Sequence, residues 1–182
     1  MSRNHFHHSS VWQVVVCKEC RYAVWPSQVV GHLTNRQHKL AKKQAEAEWE
    51  EIQEWAGVVQ YPSEFEVPPF VDDPVDELAL FHDGIKCGLD DGECPYVCRG
   101  MDTMKVHWRK KHGFSAGQNR GGSGMLKREE VERRISEHCR AVRCQRFFVQ
   151  KEHSQYFEVR SSEEQSDESV RQSKDEEIWS QA

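Results

Sequence analysis

The sequence predicts several small α+β modules rather than one large domain. Only 37% of its 182 residues are hydrophobic and 30% are charged, so a single extended core would be poorly supplied. The seven cysteines and ten histidines include two clusters with the spacing of metal-binding fingers. A structural zinc ion supplies folding free energy that a short segment lacks. We therefore expect zinc-stapled modules: two repeated ββα-type, C2H2-like fingers, a helix plus β-hairpin segment, and a disordered acidic tail.

The predicted order along the chain follows composition and charge. Residues 1–45 carry seven Lys/Arg against one acidic residue, whereas residues 46–83 carry twelve acidic residues and no Lys or Arg. Residues 84–128 return to nine basic against four acidic residues. The predicted segments are a first finger with an extended helix (11–56), an acidic proline-containing linker (57–77), a second finger (78–114), a Gly/Ser linker (115–124), a helix and β-hairpin (125–160) and the acidic tail (161–182).

The first finger is predicted from Cys17-x2-Cys20-x11-His32-x5-His38. An apolar run over 11–16 predicts the first strand, and Pro26 suits the first turn of a helix because its missing N–H would be unpaired there. Residues 40–55 contain no Gly or Pro and are rich in strong helix formers. Since they show no clean apolar stripe, we expect them to continue the finger helix as a solvent-facing extension.

The second finger is predicted from Cys87-x6-Cys94-x12-His107-x4-His112, entered by a strand over 78–87. Cys98 leaves an alternative ligand set open, in which it replaces Cys87. Only eight residues would then separate Cys98 from His107, which is short for a second strand and a helix start. The preferred ligand is therefore Cys87, with Cys98 as a small buried apolar side chain.

The C-terminal third is predicted to contain an amphipathic helix over 125–143 and two strands over 142–149 and 155–159, joined by a hairpin turn. A third metal site built from Cys139, Cys144 and His153 is disfavoured because their spacing matches no common pattern. Residues 161–182 are rich in Ser and acidic residues, and we expect them to be disordered.

Basic residues around both fingers point to nucleic acid, DNA or RNA, as a partner, because Lys and Arg neutralise phosphates. Base-reading fingers use helix positions −1, 3 and 6, and only one residue there is well suited, which is Gln28. We therefore expect weak sequence selectivity, a possible regulatory role and a nuclear location. The predicted contact residues are Gln28, Arg36, Lys39, Lys42, Lys43, Lys105, Arg109, Lys110 and Lys111. The candidate base-reading positions are Trp25, Gln28 and Gly31 in the first finger, and Gly100, Thr103 and Val106 in the second.

The alternative function is a protein-interaction scaffold in which the fingers present tryptophans, with a cytoplasmic location as its counterpart. The candidate docking residues are Trp25, Trp49, Trp55 and Trp108. No nucleophile motif or Gly-rich phosphate loop is present, so we expect no enzyme and no small-molecule substrate. No run approaches the roughly 20 apolar residues of a membrane span. The N-terminal residues also lack a signal-peptide core, so we expect reduced cysteines that favour two structural zinc ions over disulfides.

Several motifs together resemble a known fungal family. They are Gly31-His-Leu-Thr-Asn-Arg-Gln-His38, His82-Asp-Gly-Ile-Lys-Cys87, Cys94-Pro-Tyr-Val-Cys98, His107-Trp-Arg-Lys-Lys-His112, Cys144-Gln-Arg-Phe-Phe and Tyr156-Phe-Glu-Val. Over residues 11–160 the chain resembles the N-terminal region of the family typified by the orsellinic acid biosynthesis cluster protein D. The resemblance implies twin C2H2-like fingers and a fungal origin, and it supplies no activity. Family members usually run much longer, so it also implies a truncated member.

Overall fold

The computed structural model describes residues 4–90, 92–114, 128–150 and 153–160, with backbone alone for 128–131. The chain is small and α+β, with two sheets and short helices, and it divides into two compact units. The first unit comprises Met1–Pro68, Val75–Leu80 and Gln145–Tyr156; the second comprises Pro69–Pro74, Phe81–Cys144 and Phe157–Ala182. None of the described helices is long and apolar enough to cross a membrane.

The first unit is built on a three-stranded antiparallel sheet and two helices. Its elements are β1 (Phe6–Ser9), β2 (Val14–Cys17), β3 (Ala23–Val24), α1 (Val29–Thr34) and α2 (Lys42–Gln53), with 3-10 turns at Pro26–Gln28 and Pro62–Glu64. The sheet order is β1-β2-β3. The run at 11–16 was predicted as the opening strand, but an earlier strand exists. β1 pairs with β2 from Phe6 opposite Cys17 to Ser9 opposite Val14, so this unit begins before residue 11.

The predicted continuous finger helix is two separate helices. Asn35 follows α1 in an extended conformation, and its side-chain oxygen accepts the N–H groups of Gln37 and His38 at 2.8 and 3.2 Å. Such a side-chain turn competes with the helical backbone, and Lys39 at φ +54° completes the break. The helix interruption therefore comes from local hydrogen bonding rather than from Gly or Pro.

α2 is a packed helix and not a solvent-facing extension. Its residues Ala45, Glu48 and Ile52 are buried, and the first and last of these lie in the core that β2 and α1 also line. Glu48 is only 5% exposed because its carboxylate accepts the backbone N–H of His5 at 3.1 Å and lies 2.5 Å from the ring Nδ1 of His5. Because the charged residue Glu48 lies on the buried face, the sequence of this helix shows no clean apolar stripe.

The strands predicted as a hairpin do lie side by side, at Cys139–Gln145 and Phe157–Val159, but the segment between them, Gln145–Tyr156, belongs to the first unit instead of forming a short turn. Phe148 stacks on Trp25 with ring centroids 4.1 Å apart, and Phe65 packs edge-on against it. The buried side chain of Gln145 donates to the carbonyl oxygens of Val75 and Leu78, at 2.9 and 3.2 Å. Part of the predicted 57–77 linker is therefore core, because Phe65 packs in this aromatic cluster and the backbone of Val75 is hydrogen-bonded to Gln145.

The second unit is a five-stranded sheet with two helices. Its elements are β4 (Phe70–Val71), β5 (Phe81–Cys87), β6 (Val97–Cys98), α3 (Met101–His112), α4 (Arg128–Glu137), β7 (Cys139–Gln145) and β8 (Phe157–Val159), and the sheet order is β4-β8-β7-β5-β6. The helix predicted over 125–143 ends at residue 137. Cys139 and the residues after it pair with β5 instead, from Cys139 opposite Cys87 to Cys144 opposite Phe81. Long-range strand pairing thus overrides the helical propensity of this stretch.

A charged network ties three of these strands together. Glu158 on β8 is 5% exposed, and its two carboxylate oxygens lie 2.7 Å from Lys86 on β5 and 2.6 Å from Arg140 on β7. Lys86 and Arg140 are themselves cross-strand partners. Arg160 is a third cationic partner at 3.8 Å. Because the buried carboxylate has these three partners, its desolvation is compensated and the central strands are held in register.

We expect Ile52→Ala to destabilise the zinc-loaded protein by about 2–5 kcal/mol, because it removes a fully buried side chain from the core beneath α2. Urea unfolding followed by circular dichroism measures the change. Gln53→Ala, at the neighbouring exposed position, is the matched control and should change the free energy of unfolding by less than about 0.5 kcal/mol. Equal effects of the two substitutions would contradict the packed position of α2.

Candidate metal centres

The first candidate centre brings together the four residues predicted from their spacing. Cys17 ends β2, Cys20 lies in the turn before β3, His32 is on α1, and His38 follows the Asn35 turn. Their four ligand atoms all lie within 4.8 Å of one another. Nε2 of His38 is 3.7 Å from the sulfur of Cys17 and 3.1 Å from that of Cys20. The short strands, the turn and the helix thus converge four donors on one point.

The second centre has the same donor set on a different loop. Cys87 ends β5, Cys94 precedes β6, and His107 and His112 lie on α3, again with all ligand atoms within 4.8 Å. The sulfur of Cys87 is 3.6 Å from Nε2 of His112, and that of Cys94 is 3.4 Å from Nε2 of His107. Cys98 lies outside this group, buried, with its thiol donating to the carbonyl of Gly100 at 3.4 Å.

Both centres have the dimensions that a tetrahedral zinc ion requires. Zinc bonds of about 2.3 Å to sulfur and about 2.0 Å to nitrogen imply sulfur–nitrogen separations of about 3.5 Å and nitrogen–nitrogen separations of about 3.3 Å. The observed sulfur–nitrogen distances run from 3.1 to 3.7 Å, and the two Nε2 atoms of His107 and His112 are 3.1 Å apart. Each group can therefore hold one metal ion.

Burial favours the neutral form of the donors whose pKa it shifts. Burial lowers the pKa of His32 to about 4 and also lowers that of His107, so both imidazoles are neutral at pH 7. Burial raises the pKa of Cys20 to about 11 and raises that of Cys87, so both thiols hold a proton until a cation displaces it. The N–H groups of Leu89 and Trp108 oppose the rise at Cys87.

The indole nitrogen of Trp108 supports the fit of a metal at the second centre. This nitrogen is buried and meets no acceptor at hydrogen-bonding geometry. It does, however, favour the thiolate form of Cys87. A metal-bound thiolate is the acceptor that this buried donor lacks.

Two kinds of neighbour recur at both centres, and sequence reasoning did not single them out. A tyrosine two residues after the second cysteine contacts the first histidine: Tyr22 lies edge-on to His32 at 5.6 Å, and Tyr96 stacks on His107 at 3.8 Å. The sequence signal for both tyrosines was their shared position, two residues after the second cysteine of each cluster.

A carboxylate from the loop between the cysteines faces the second histidine at each centre. Glu19 lies 3.0 Å from Nδ1 of His38, and Asp90 lies 3.1 Å from Nδ1 of His112. Nδ1 of His38 has no hydrogen-bond partner despite this approach, so Glu19 is a charged neighbour there. A carboxylate that hydrogen-bonds Nδ1 would turn the other ring nitrogen toward a metal. Both carboxylates are more than half exposed.

The residues predicted to contact nucleic acid are all exposed, on both units. Two of them have acidic neighbours on their own helix: Lys42 lies 3.6 Å from Glu46, and Lys105 lies 3.8 Å from Asp102. The exposed set is Gln28, Arg36, Lys39, Lys42 and Lys43 in the first unit, and Lys105, Arg109, Lys110 and Lys111 in the second.

The candidate docking tryptophans are mostly not surface groups. Trp108 is fully buried beneath the second centre, and Trp25 is 6% exposed in the aromatic cluster with Phe148. Trp55 is half-buried and stacks on His8 at 5.3 Å. Trp49 is the exception, at 36% exposed.

The fold and the two centres define a small α+β protein with two separate Cys2His2 groups able to hold metal ions. The profile of the family described as "Orsellinic acid/F9775 biosynthesis cluster protein D" matches residues 4–113. The chain belongs to this family. The match includes all eight candidate ligands, so both metal groups lie within the family region.

A curated relative bears the same description, from Emericella nidulans (strain FGSC A4 / ATCC 38163 / CBS 112.46 / NRRL 194 / M139). It is 29% identical over 103 residues, which cover 56% of this chain and 19% of the relative. The chain therefore spans about a fifth of the length of that protein. No solved structure matches the chain.

We expect Cys87→Ser and Cys98→Ser to differ in metal content. Cys87 lies in the four-donor group and Cys98 does not, so the Cys87 variant should bind one zinc ion per chain while the Cys98 variant keeps two. Elemental analysis of the purified variants measures this. Loss of a metal ion only in the Cys98 variant would reverse the ligand assignment.

Zinc affinity should rise with pH. The Cys20 thiol is protonated in the metal-free protein at neutral pH, whereas His32, with its pKa lowered to about 4, does not compete for protons there. Each thiol proton displaced on binding makes the affinity about tenfold higher per pH unit, over roughly pH 6 to 8. Competition with a chelator across this range measures the slope, and a flat profile would exclude thiol ligation.

Metal-free protein should show a separate acid sensitivity. The folded-state pKa of His32 lies below the ordinary value of 6.5, so the unfolded chain gains a proton first as the pH falls from 6.5 toward 4. This histidine therefore makes the metal-free fold less stable on acidification. Urea unfolding of chelator-treated protein at pH 7 and pH 5 measures the change, and equal stability at the two pH values would contradict the lowered pKa of His32.

Proposed function

We propose that each Cys2His2 group holds one structural zinc ion and that each centre is the core of a ββα-type finger. The supporting observation is that two cysteine sulfurs and two histidine nitrogens converge in each unit, at separations that match tetrahedral zinc coordination. In each unit an antiparallel strand pair precedes the helix that supplies the first histidine: β2–β3 before α1, and β5–β6 before α3. Zinc would link the turn between the strands to the helix and would supply most of the stability of these short elements.

The role we propose for the metal is structural rather than catalytic. A catalytic zinc keeps a position open for water or substrate, whereas both groups here offer four protein donors. At the first centre, Cys17 is fully buried and Tyr22 covers His32. At the second centre, Tyr96 lies flat on His107. These contacts limit access of a substrate to the metal.

We propose nucleic-acid phosphates as the partner of the basic surface. In the second unit, α3 buries Met104 and Trp108 on one side, and its final turn exposes Arg109, Lys110 and Lys111. In the first unit, Arg36, Lys39, Lys42 and Lys43 are exposed around the second histidine and the start of α2. Each metal centre thus stands beside a cationic surface that can contact phosphates without reading bases.

Sequence-selective reading has little support from the helix positions. Trp25 is buried in the aromatic cluster, so it cannot reach a base edge. Gln28 lies in the 3-10 turn before α1, and α1 itself has only six residues. Gly31 and Gly100 carry no side chain to donate or accept hydrogen bonds. We therefore propose shape- or charge-based binding, with a nuclear location.

The second candidate function is a protein-interaction module. It is favoured by two exposed aromatic residues of the first unit, Trp49 on α2 and Tyr61, which is 65% exposed. The curated relative is described as a biosynthesis cluster protein. Under either proposal we propose a regulatory rather than an enzymatic contribution to such a cluster.

A salt titration tests the nucleic-acid proposal. Zinc-loaded protein is titrated against random duplex DNA, duplex RNA and single strands, and the logarithm of the binding constant should fall linearly with the logarithm of salt concentration. Each phosphate contact contributes about 0.9 to this slope on duplex DNA. Arg109→Gln should therefore reduce the magnitude of this slope by about 0.9, the value for one phosphate contact.

Arg133→Gln is the matched control, because Arg133 is an exposed helical arginine of the same unit that lies beside Glu137. Its slope should equal that of the unaltered protein. Zinc content is measured for every sample, so that a weakened centre is not mistaken for a lost contact. Absence of binding at low salt by fully zinc-loaded protein would contradict nucleic-acid binding and favour the protein-interaction function.

A further inference from the structure

Cys139 lies directly opposite a metal ligand. β7 runs antiparallel to β5, and Cys139 is the cross-strand partner of Cys87. The neighbouring pair is joined by a hydrogen bond from the N–H of Gly88 to the carbonyl of His138, at 2.9 Å. Because hydrogen-bonded and non-hydrogen-bonded pairs alternate along an antiparallel ladder, Cys87 and Cys139 form a non-hydrogen-bonded pair.

This pairing satisfies the distance that a disulfide requires. Cα atoms of a non-hydrogen-bonded pair are about 4.5 Å apart, inside the range of about 4.4–6.8 Å seen for disulfide-linked cysteines. Both side chains also face the same way, since Cys87 belongs to the core beneath α3 and Cys139 packs against that core. The sulfur atoms can meet by side-chain rotation alone.

The thiol of Cys139 stands outside the metal group and is accessible. It donates to the carbonyl of Ile135 at 3.0 Å, and the residue is only partly buried. The two other cysteines outside the ligand sets are buried and have other cross-strand partners. Cys98 is opposite Ile85, and Cys144 is opposite Phe81. Cys139 is therefore the non-ligand thiol placed to react with Cys87.

We propose that Cys87 and Cys139 form a redox-sensitive pair through which a peroxide releases the metal of the second centre. The peroxide oxidises one sulfur of the pair to a sulfenic acid and leaves as water. The other sulfur then attacks it, which forms the S–S bond and releases a second water. In total, one thiolate, one thiol, one hydrogen peroxide and one proton give one disulfide and two waters. The two electrons reduce the peroxide, and zinc loses the Cys87 ligand.

The consequence is confined to one of the two centres. With Cys87 removed, three donors remain at the second centre. Within the described strands no thiol lies opposite the strand-end ligand of the first centre, because Cys17 is opposite Phe6 on β1. Thiol reduction in the presence of zinc reverses the change. This inference rests on the proposed zinc binding at the second centre, and it adds regulation by oxidants to it.

The test uses the full chain loaded with zinc and treated with hydrogen peroxide. Metal content is measured first, so that failure to bind zinc is separated from failure to respond to peroxide. Zinc release is followed with a chromogenic chelator, free thiols are blocked, and disulfides are mapped by mass spectrometry. Trypsin with a glutamate-specific protease cuts after Glu93 and Glu137, which separates Cys87 from Cys94 and Cys98. The expected product links the peptide 87–93 to the peptide 138–140.

Cys139→Ser should slow zinc release from the second centre by about tenfold, because the sulfenic acid then lacks a neighbouring thiol. Cys139→Ala provides a second variant should the serine disturb the core, and both must retain two zinc ions and the original circular dichroism spectrum. Cys98→Ser is the matched control and should release zinc at the unaltered rate. A disulfide between Cys87 and Cys94, or protection by Cys98→Ser instead, would overturn the proposal.

Discussion

The constraint on which both units depend is the convergence of two cysteines, one ending a strand and one in the loop after it, with a helical histidine and a second histidine five or six residues further on. β3 and β6 are two residues long, and α1 has six residues. Elements of this size are marginal by themselves, since short helices lack sufficient hydrogen bonds and two-stranded ribbons bury little surface. Closing four donors around one ion would fix the turn between the strands against the helix, and the small apolar cores would then pack around a defined point.

The metal centres alone do not account for the size of the units. The first unit draws α2, the segment around Phe65 and the residues from Gln145 to Tyr156 into its core. The Gln145 side chain accepts the N–H of Val75 and donates to the carbonyls of Val75 and Leu78, which replaces water at this backbone. The short segment that carries the four donors is thus enlarged into a compact unit by sequence-distant segments, which add buried apolar surface.

The features that sequence predicted are those fixed by local spacing. Cysteines and histidines at finger-like intervals identified all eight residues that the structure gathers into two groups. The departures arise where distant partners decide. Glu48 made α2 look polar on every face in the sequence, but in the structure it is buried with His5 as its partner. The charge pattern after residue 137 predicted helix, but these residues pair with β5. Neither the N-terminal strand partner nor the return of Phe147 and Phe148 to the first unit has a local signature.

The repetition of the same neighbours at two unlike loops argues that ligand orientation is itself under constraint. The cysteines are two residues apart in intervening sequence at the first centre and six at the second, yet both place a tyrosine on the first histidine and a carboxylate near Nδ1 of the second. A neutral imidazole can rotate and offer either nitrogen, so four donors at the right distances do not by themselves specify a closed site. A carboxylate near Nδ1 favours the tautomer that carries its proton there, and the aromatic ring limits rotation of the first histidine. Side chains outside the ligand set thus favour presentation of Nε2 of both histidines to a metal.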